Sequence, residues 1–203
     1  MFVYSYGYYP FKKTKKKNNL FIGFYESSKF FDDIKDVLRK EFEPKYNKLE
    51  KNKKLYKKIE QSESVCVSIR RGDFLAEKYK SKHYVCTPEY FEKSISLMLK
   101  KIKNAQFIVF SDDINWVKNN MKFPANTLYE SGDDPVWEKL RLMYSCKHFI
   151  ISNSTFSWWA QYLSKNEKKI VIAPSQWLNG QKNPDFYDKK WSLVDISSLK
   201  KRD

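Results

Sequence analysis

In the segment VCVSIRRGDF (65–74), an apolar strand pattern runs straight into a charged turn, and this change is the main sequence evidence for the fold class. Residues 65–69 form a short segment that is mostly apolar and rich in β-branched side chains, which is typical of a strand buried inside a parallel sheet. Arg-Arg-Gly-Asp (70–73) follows without a linker. The same change from apolar strand to polar turn recurs twice later in the chain. This repetition predicts several strands whose carboxyl ends meet at one side of a sheet.

Downstream of this stretch, short apolar runs alternate with helical patterns. Further strands are predicted at FIVF (107–110), HFIIS (148–152) and KIVIAP (169–174). Helices are predicted at 87–101, after Asp112-Asp113, at 133–146 and at 154–164. Thr87 and Pro88 suit the N-cap and the first position of the first of these helices. Short strands that alternate with helices predict an α/β fold of the Rossmann-like kind, a parallel sheet flanked by helices.

The first sixty residues have a different character from the remainder. LFIGF (20–24) predicts a short strand, and residues 27–42 have apolar side chains at helical spacing with Pro44 beyond them. Residues 46–60 form a very basic helical segment, which we interpret as a linker helix between domains. The sequence therefore predicts a domain boundary near residue 60.

The composition limits the kinds of partner and the compartment. The 203 residues include 39 Lys and Arg against 24 Asp and Glu, a net charge of +15, which favours an anionic partner: nucleic acid, a phosphorylated small molecule or a lipid surface. Cys66, Cys86 and Cys146 are odd in number and lack CxxC spacing, which predicts reduced thiols and no structural zinc site. No apolar run approaches the length of about 20 residues that is needed to span a bilayer. We expect a cytoplasmic protein, and its positive net charge is compatible with peripheral contact with an anionic membrane.

Polar side chains follow three of the predicted strands, where open α/β sheets bind ligands. These strand ends are 70–73, 111–113 and 152–155. An arginine fork holds two phosphate oxygens and keeps its charge near neutral pH. Ser154 and Thr155 begin a helix, where free N–H groups and the helix dipole favour an anion. Together these features suit a nucleoside diphosphate, with arginine in place of a metal ion and with Asp112 or Asp113 accepting hydrogen bonds from a ribose or a base.

Simpler interpretations of the same residues stay open. An Arg-Arg-Gly-Asp turn is often a surface ion pair, and Asp112 and Ser154 are suited to helix capping. Trp158 and Trp159, inside a predicted helix, are more typical of core packing than of a sugar platform. The tripeptide Arg71-Gly72-Asp73 also matches an adhesion ligand, and the net charge is compatible with nucleic-acid binding. A glycine-rich P-loop or dinucleotide fingerprint is lacking.

Several segments in this order resemble glycosyltransferase family 11, the α-1,2-fucosyltransferases: SIRRGDF (68–74), HYVCTPEYF (83–91), FIVFSDDINW (107–116), PVWEKLRLMYSCKHFIISNSTFSWWAQYL (135–163) and KIVIAPSQWL (169–178). The resemblance implies the donor-binding half of a two-Rossmann (GT-B) enzyme. Such an enzyme transfers fucose from GDP-fucose to the 2-hydroxyl of a galactose-type acceptor, with inversion and without a metal. The implied partners are GDP-fucose and a galactose-containing glycan, and not nucleic acid.

The resemblance also implies roles for single residues. Arg70 holds the pyrophosphate and stabilises the departing GDP, while Arg71 and Asp73 shape the loop. Attack by a sugar hydroxyl needs a carboxylate base, for which Asp73 and Glu77 are the candidates. The donor-binding set implied by the resemblance is Arg70, Arg71, Asp112, Asp113, Ser154, Thr155 and Ser157.

The chain departs from the family pattern in two places. Ser68 stands where the arginine motif commonly has His, and a serine cannot share a proton near neutral pH. A GGLGNQMF-like segment, usual at the front of the acceptor-side domain, is lacking. We therefore expect residues 1–60 to be a remnant of that domain with a linker helix, and 61–203 to be the GDP-fucose-binding domain. On this basis we expect weak GDP binding and slow turnover from the chain alone, with an N-terminal half supplied by another polypeptide. The alternatives are an inactive fragment that keeps the donor-binding fold and a basic nucleic-acid-binding protein.

Overall fold

A single parallel sheet organises the protein in the computed structural model, which describes residues 7, 8, 10, 23–181, 183, 185 and 187–197. The strands are β1 Glu63–Ile69, β2 Ala105–Ser111, β3 Leu128–Tyr129, β4 His148–Ile151, β5 Val171–Pro174 and β6 Ser192–Val194. Their order across the sheet is β3-β2-β1-β4-β5-β6, and every neighbouring pair is parallel. The predicted Rossmann-like α/β fold is therefore confirmed.

Helices connect and cover these strands. They are α1 Lys35–Glu41, α2 Lys53–Gln61, α3 Glu77–His83, α4 Pro88–Lys101, α5 Ile114–Asn120, α6 Val136–Ser145 and α7 Thr155–Leu163. Short 3₁₀ turns lie at Ser28–Phe30, Asp32–Ile34, Glu50–Asn52 and Gly72–Leu75. Among the described residues, no helix is long and apolar enough to cross a bilayer.

The strand order reverses next to β1. From β1 the chain adds β2 and β3 on one side, and then crosses back to place β4, β5 and β6 on the other. Val65 to Ser68 of β1 lie beside His148 to Ile151 of β4, so the two strands end close together. A crevice forms at the carboxyl ends of the strands at such a switch point, and ligands of open α/β sheets bind there.

Alternating residues of β1 explain why its sequence is apolar throughout. Val65 and Val67 belong to the core beneath α4 and α5, while Cys66 belongs to the core on the opposite face, beneath α2, α6 and α7. A strand covered on both faces needs apolar side chains at nearly every position. Because Tyr56 and Ile59 of α2 are buried in the second of these cores, α2 packs on the sheet. The predicted domain boundary near residue 60 stays a prediction.

The amino-terminal elements differ most from the sequence-based predictions. In the predicted strand 20–24, residues 20–22 lie outside the described residues, and Gly23 and Phe24 are in no strand. The helix predicted over 27–42 is two 3₁₀ turns followed by α1, and the one predicted over 46–60 begins with the turn at Glu50. The α3 helix and the short strands β3 and β6 were not predicted.

Candidate active site

A cleft of about 660 Å³ lies at the switch point of the sheet. Its walls include Ser68–Arg70 from the end of β1, Ser111 and Asp112 from the end of β2, and Asn153–Ser157 from the end of β4 and the start of α7. The three polar strand ends predicted from the sequence therefore meet in one place. A cleft of this size accommodates a small-molecule ligand.

Arg70 lies in this cleft between two carboxylates. Its Nη2 is 2.7 Å from Asp73 Oδ1, and its Nη1 is 2.8 Å from Asp112 Oδ2. The arginine side chain is 37% exposed, so solvent still reaches the guanidinium. The two ion pairs fix the direction of the fork while leaving it accessible to an anion.

Gly72 makes this arrangement sterically feasible. A Cβ atom at residue 72 would lie 2.5 Å from Asp112 Oδ2, well inside van der Waals contact. The other oxygen of Asp112 accepts a hydrogen bond from the Arg71 backbone N–H at 2.9 Å. Asp112 thus joins the loop after β1 to the end of β2, and only glycine leaves room for it.

Arg71 has a different environment from its neighbour. Its guanidinium lies over the Trp116 ring, 3.1 Å from the centroid, and its Nε is 3.3 Å from Asp113 Oδ2. Arg71 is buried, and Asp113 also accepts a hydrogen bond from the Trp116 N–H at the start of α5. Neither Arg71 nor Asp113 lines the cleft. They fix the loops behind it, and their predicted contact with a donor stays a prediction.

The serines of the site divide into two groups. Ser157 Oγ lies 2.7 Å from Ser68 Oγ and 3.2 Å from Ser152 Oγ, so buried hydroxyls tie together the ends of β1 and β4 and the first turn of α7. Ser154 and Thr155 line the cleft, and the Ser154 side chain makes no capping hydrogen bond to α7. The first N–H groups of α7 lack partners within the helix, and together with its dipole they favour an anion in the cleft.

The two predicted candidates for a base lie apart. Asp73 lines the cleft beside Arg70, whereas Glu77 is exposed at the start of α3 and does not line it. A third carboxylate, that of Glu26, lines the cleft and was not predicted from the sequence. Within the described residues it makes no hydrogen bond or ion pair, and burial raises its pKa above the ordinary value. Glu26 lies in an irregular segment far before the sheet, where no periodic signal marks it.

Lys139 was also not predicted as a site residue, because in the sequence it resembles the many lysines of exposed helix faces. It lines the cleft, its side chain is 17% exposed, and its Nζ lies 3.3 Å from Oε2 of the fully buried Glu130. Lys139 and Arg70 give the described lining two cations, against the three carboxylates of Glu26, Asp73 and Asp112. The net charge of +15 is therefore not concentrated in this cleft.

Asn153 fixes one wall of the cleft. Its Nδ2 donates to the carbonyl oxygens of His83, at 2.9 Å, and Trp177, at 2.8 Å. Both of these residues line the cleft. Among the described residues, including those of the cleft, no cluster of three or more His, Cys, Asp or Glu side chains is arranged to hold a metal ion. Metal independence itself stays a prediction.

Together, the fold and the cleft define a Rossmann-like domain with a polar cleft at its switch point. Residues 7–195 match the family model described as glycosyl transferase family 11, and the chain belongs to this family.

Curated relatives carry transferase names. The chain is 34% identical over 185 residues to an alpha-1,2-colitosyltransferase of Escherichia coli, a match that covers 86% of the chain and 62% of the relative. It is 33% identical over 142 residues to the O-antigen biosynthesis glycosyltransferase WbnK of Escherichia coli, covering 68% of the chain and 47% of the relative. Identity to the galactoside alpha-(1,2)-fucosyltransferase 1 of Leontocebus fuscicollis is 25% over 194 residues, which is 87% of the chain and 53% of that protein. The chain thus matches about half to three fifths of the length of these relatives.

Proposed function

We propose that this chain is the donor-binding half of an inverting, metal-independent α-1,2-fucosyltransferase, which transfers fucose from GDP-fucose to the 2-hydroxyl of a galactose-type acceptor. The supporting observation is the position of Arg70: it lies at the end of the central strand, beside the start of α7, in the cleft at the switch point. Family membership and the transferase names of the relatives support the same class of reaction.

The donor pyrophosphate has two sources of attraction in this cleft. The Arg70 fork pairs with two phosphate oxygens, and the N-terminus of α7 offers free N–H groups beside Ser154 and Thr155. Lys139 adds a cation near the end of β2, since its Nζ lies 3.5 Å from the Ser111 carbonyl oxygen. As GDP departs, negative charge grows on its terminal phosphate, where a fixed guanidinium is most stabilising.

Donor binding also changes the state of Asp73. Because Asp73 and Asp112 already pair with Arg70, an arriving phosphate competes with them for the guanidinium. Asp73 is the more exposed of the two, at 57% against 24%, and Asp112 is also held by the Arg71 backbone. The phosphate therefore displaces Asp73, which leaves a free carboxylate beside the reaction centre.

The transfer then needs one proton acceptor. The acceptor 2-hydroxyl oxygen attacks the anomeric carbon of fucose, the bond from that carbon to the phosphate oxygen breaks, and GDP leaves with the bonding electron pair. The hydroxyl proton passes to a carboxylate, and Asp73 is suited to this role because it lines the cleft. Glu77, which is outside the lining, is the second candidate.

The experiment is a transfer assay followed by ¹H NMR. Wild type, Asp73→Asn and Glu77→Gln are incubated with GDP-fucose and a phenyl β-galactoside, and a parallel series uses a colitosyl donor because the 34% identical relative is named a colitosyltransferase. Because slow turnover is expected from this half alone, we expect a fucosylated galactoside to form slowly with wild type. We expect a further loss of about 100-fold or more in Asp73→Asn and little change in Glu77→Gln. Loss of activity only in Glu77→Gln reassigns the base. Absence of any transfer by wild type contradicts the proposed activity of this chain.

A further inference from the structure

A second, smaller pocket adjoins the cleft. It has a volume of about 130 Å³ and shares Phe24, Glu26 and Thr155 with the larger cleft. The rest of its wall is largely aromatic: Tyr25, Phe31, Trp158 and Trp159. The shared residues place this pocket immediately beside the donor site.

The segment Phe24–Ser27 lines the smaller pocket, two of its residues also line the cleft, and it is held in a strained conformation. Tyr25 has φ of 50°, in the left-handed region that non-glycine residues rarely adopt. Ser27 fixes the segment from one side, since its Oγ donates to Asp185 Oδ2 at 3.2 Å. Phe31 fixes it from the other, stacked on Trp159 with ring centroids 5.3 Å apart. Backbone strain of this kind is concentrated at ligand-binding sites, where the surrounding structure enforces it.

Two side chains of this segment are unfavourable for stability as they stand. Phe24 is 94% exposed, the most exposed of the large apolar side chains that the structure describes. Glu26 is half-buried, and within the described residues its carboxylate has no partner. Removing a carboxylate from water without a hydrogen bond costs free energy, and an exposed aromatic ring gains little until something covers it. One ligand that covers the ring and donates hydrogen bonds to the carboxylate relieves both.

A sugar has this combination of surfaces. The C–H face of a galactose-type ring is apolar and packs on an aromatic face, while its hydroxyl groups donate hydrogen bonds to carboxylates. Small-molecule sites commonly pair an apolar wall with a few convergent polar groups. The pocket combines an aromatic wall with one carboxylate, that of Glu26, and with the hydroxyl-bearing residue Thr155.

We infer that the junction of the two pockets is the acceptor-sugar subsite, in which Phe24 stacks on a galactose-type ring and Glu26 accepts hydrogen bonds from its hydroxyl groups. The inference rests on the proposed function, because an acceptor sugar in this place reacts only with a donor bound in the larger cleft. It goes further by assigning the acceptor side to the segment Phe24–Ser27 before the sheet. Thr155 lies in both pockets, where the acceptor hydroxyl meets the donor.

The test is saturation-transfer difference NMR with methyl β-galactoside in the presence of saturating GDP. The variants are Phe24→Ala and Glu26→Ala, with Glu26→Gln to retain a hydrogen-bond acceptor. The controls are Tyr46→Ala and Glu43→Gln, which remove an exposed aromatic ring and an exposed carboxylate outside both pockets. Calorimetric titration of GDP into each variant checks the fold and the donor site separately.

We expect the galactoside Kd to rise about tenfold in Phe24→Ala and in Glu26→Ala, a change of about 1.4 kcal/mol, and to rise less in Glu26→Gln. The controls stay within about twofold of wild type for both ligands. Because Phe24 and Glu26 also line the larger cleft, galactoside affinity is compared at a GDP concentration that saturates each variant. Unchanged galactoside binding in Phe24→Ala and Glu26→Ala overturns the subsite. If wild type binds GDP but no galactoside, the subsite fails and the donor site stands. If wild type does not bind GDP, the proposed function fails as well.

Discussion

Two arginine-centred clusters, one around Arg141 and one around Arg70, show how similar groups are used differently in this protein. Arg141 is 7% exposed, and its donors reach Tyr56 Oη at 3.0 Å, the Tyr46 carbonyl at 2.7 Å and the Asn47 carbonyl at 2.9 Å. It also pairs with the fully buried Glu138. Arg70, in contrast, is 37% exposed and held by two carboxylates that water also reaches.

The difference separates a structural role from a ligand-binding role. Around Arg141 the side-chain partners Glu138 and Tyr56 are buried, and the other two partners are backbone carbonyls, so the cluster fixes the chain before α2 against α6. Around Arg70 the partners are exchangeable, because an incoming anion replaces an exposed carboxylate at little cost. A buried charge with fixed partners stabilises one conformation, whereas a half-exposed charge with replaceable partners is suited to binding.

The largest expected effect comes from Arg141→Met. Removing the guanidinium leaves Glu138 buried without its cation, so we expect the free energy of unfolding to fall by about 3–5 kcal/mol. Urea denaturation measures it. Arg39→Met is the comparison, because the carboxylates that pair with Arg39 are exposed, and we expect a loss of about 1 kcal/mol there. Equal losses in the two variants would remove the distinction between the clusters.

Gly72→Ala is expected to have an intermediate effect. The added Cβ meets Asp112 Oδ2 and pushes it away from Arg70, so we expect about 1–3 kcal/mol lower stability and about tenfold weaker GDP binding. Gly180→Ala is the control: its φ of 67° makes a side chain costly, but nothing lies within 4 Å of the added atom. It should lose stability and keep its GDP affinity. Unchanged GDP binding in Gly72→Ala would contradict the role given to Asp112.

The smallest expected effect is a pH-dependent gain of stability in Glu26→Gln. Burial raises the pKa of Glu26, so the folded protein binds this proton more tightly than the unfolded chain does. Wild type therefore loses stability as the pH rises from the unfolded pKa through the folded one, while the variant does not. We expect a higher Tm for Glu26→Gln at pH 7, and no difference below the ordinary glutamate pKa of about 4.3. A lower Tm for the variant at pH 7 indicates a partner for this carboxylate.

The sequence predicted much of the sheet and the location of the site. Apolar runs such as 65–69 and 107–110 are strands because both faces of the sheet are covered, and their polar ends meet because parallel strands end on one side. The two-residue β3 and the three-residue β6 have no comparable signal. Their pairing is decided by neighbouring strands and not by their own residues.

The functional details depend on contacts between distant segments. Arg70 and Arg71 are adjacent residues of the same type, and contacts with distant segments distinguish them: Arg71 packs on Trp116, whereas Arg70 pairs with Asp112. Ser157, predicted as a donor-binding residue, lines the cleft, and its hydroxyl also contacts those of Ser68 and Ser152; its contact with a donor stays a prediction. Glu26 reaches the cleft from an irregular segment that precedes the sheet. None of these outcomes follows from periodicity or from local turn chemistry.

The proposed role of Arg70 is tested by calorimetric titration of GDP, with ADP as the control nucleotide, into wild type, Arg70→Ala and Arg71→Ala. Both variants remove one guanidinium from the same loop, but only Arg70 lines the cleft. We predict that wild type binds GDP more tightly than ADP, that Arg70→Ala loses about 30-fold or more in GDP affinity, and that Arg71→Ala stays within about fivefold. Equal GDP binding by wild type and Arg70→Ala, or an equal loss in both variants, contradicts the assignment of Arg70 as the pyrophosphate ligand.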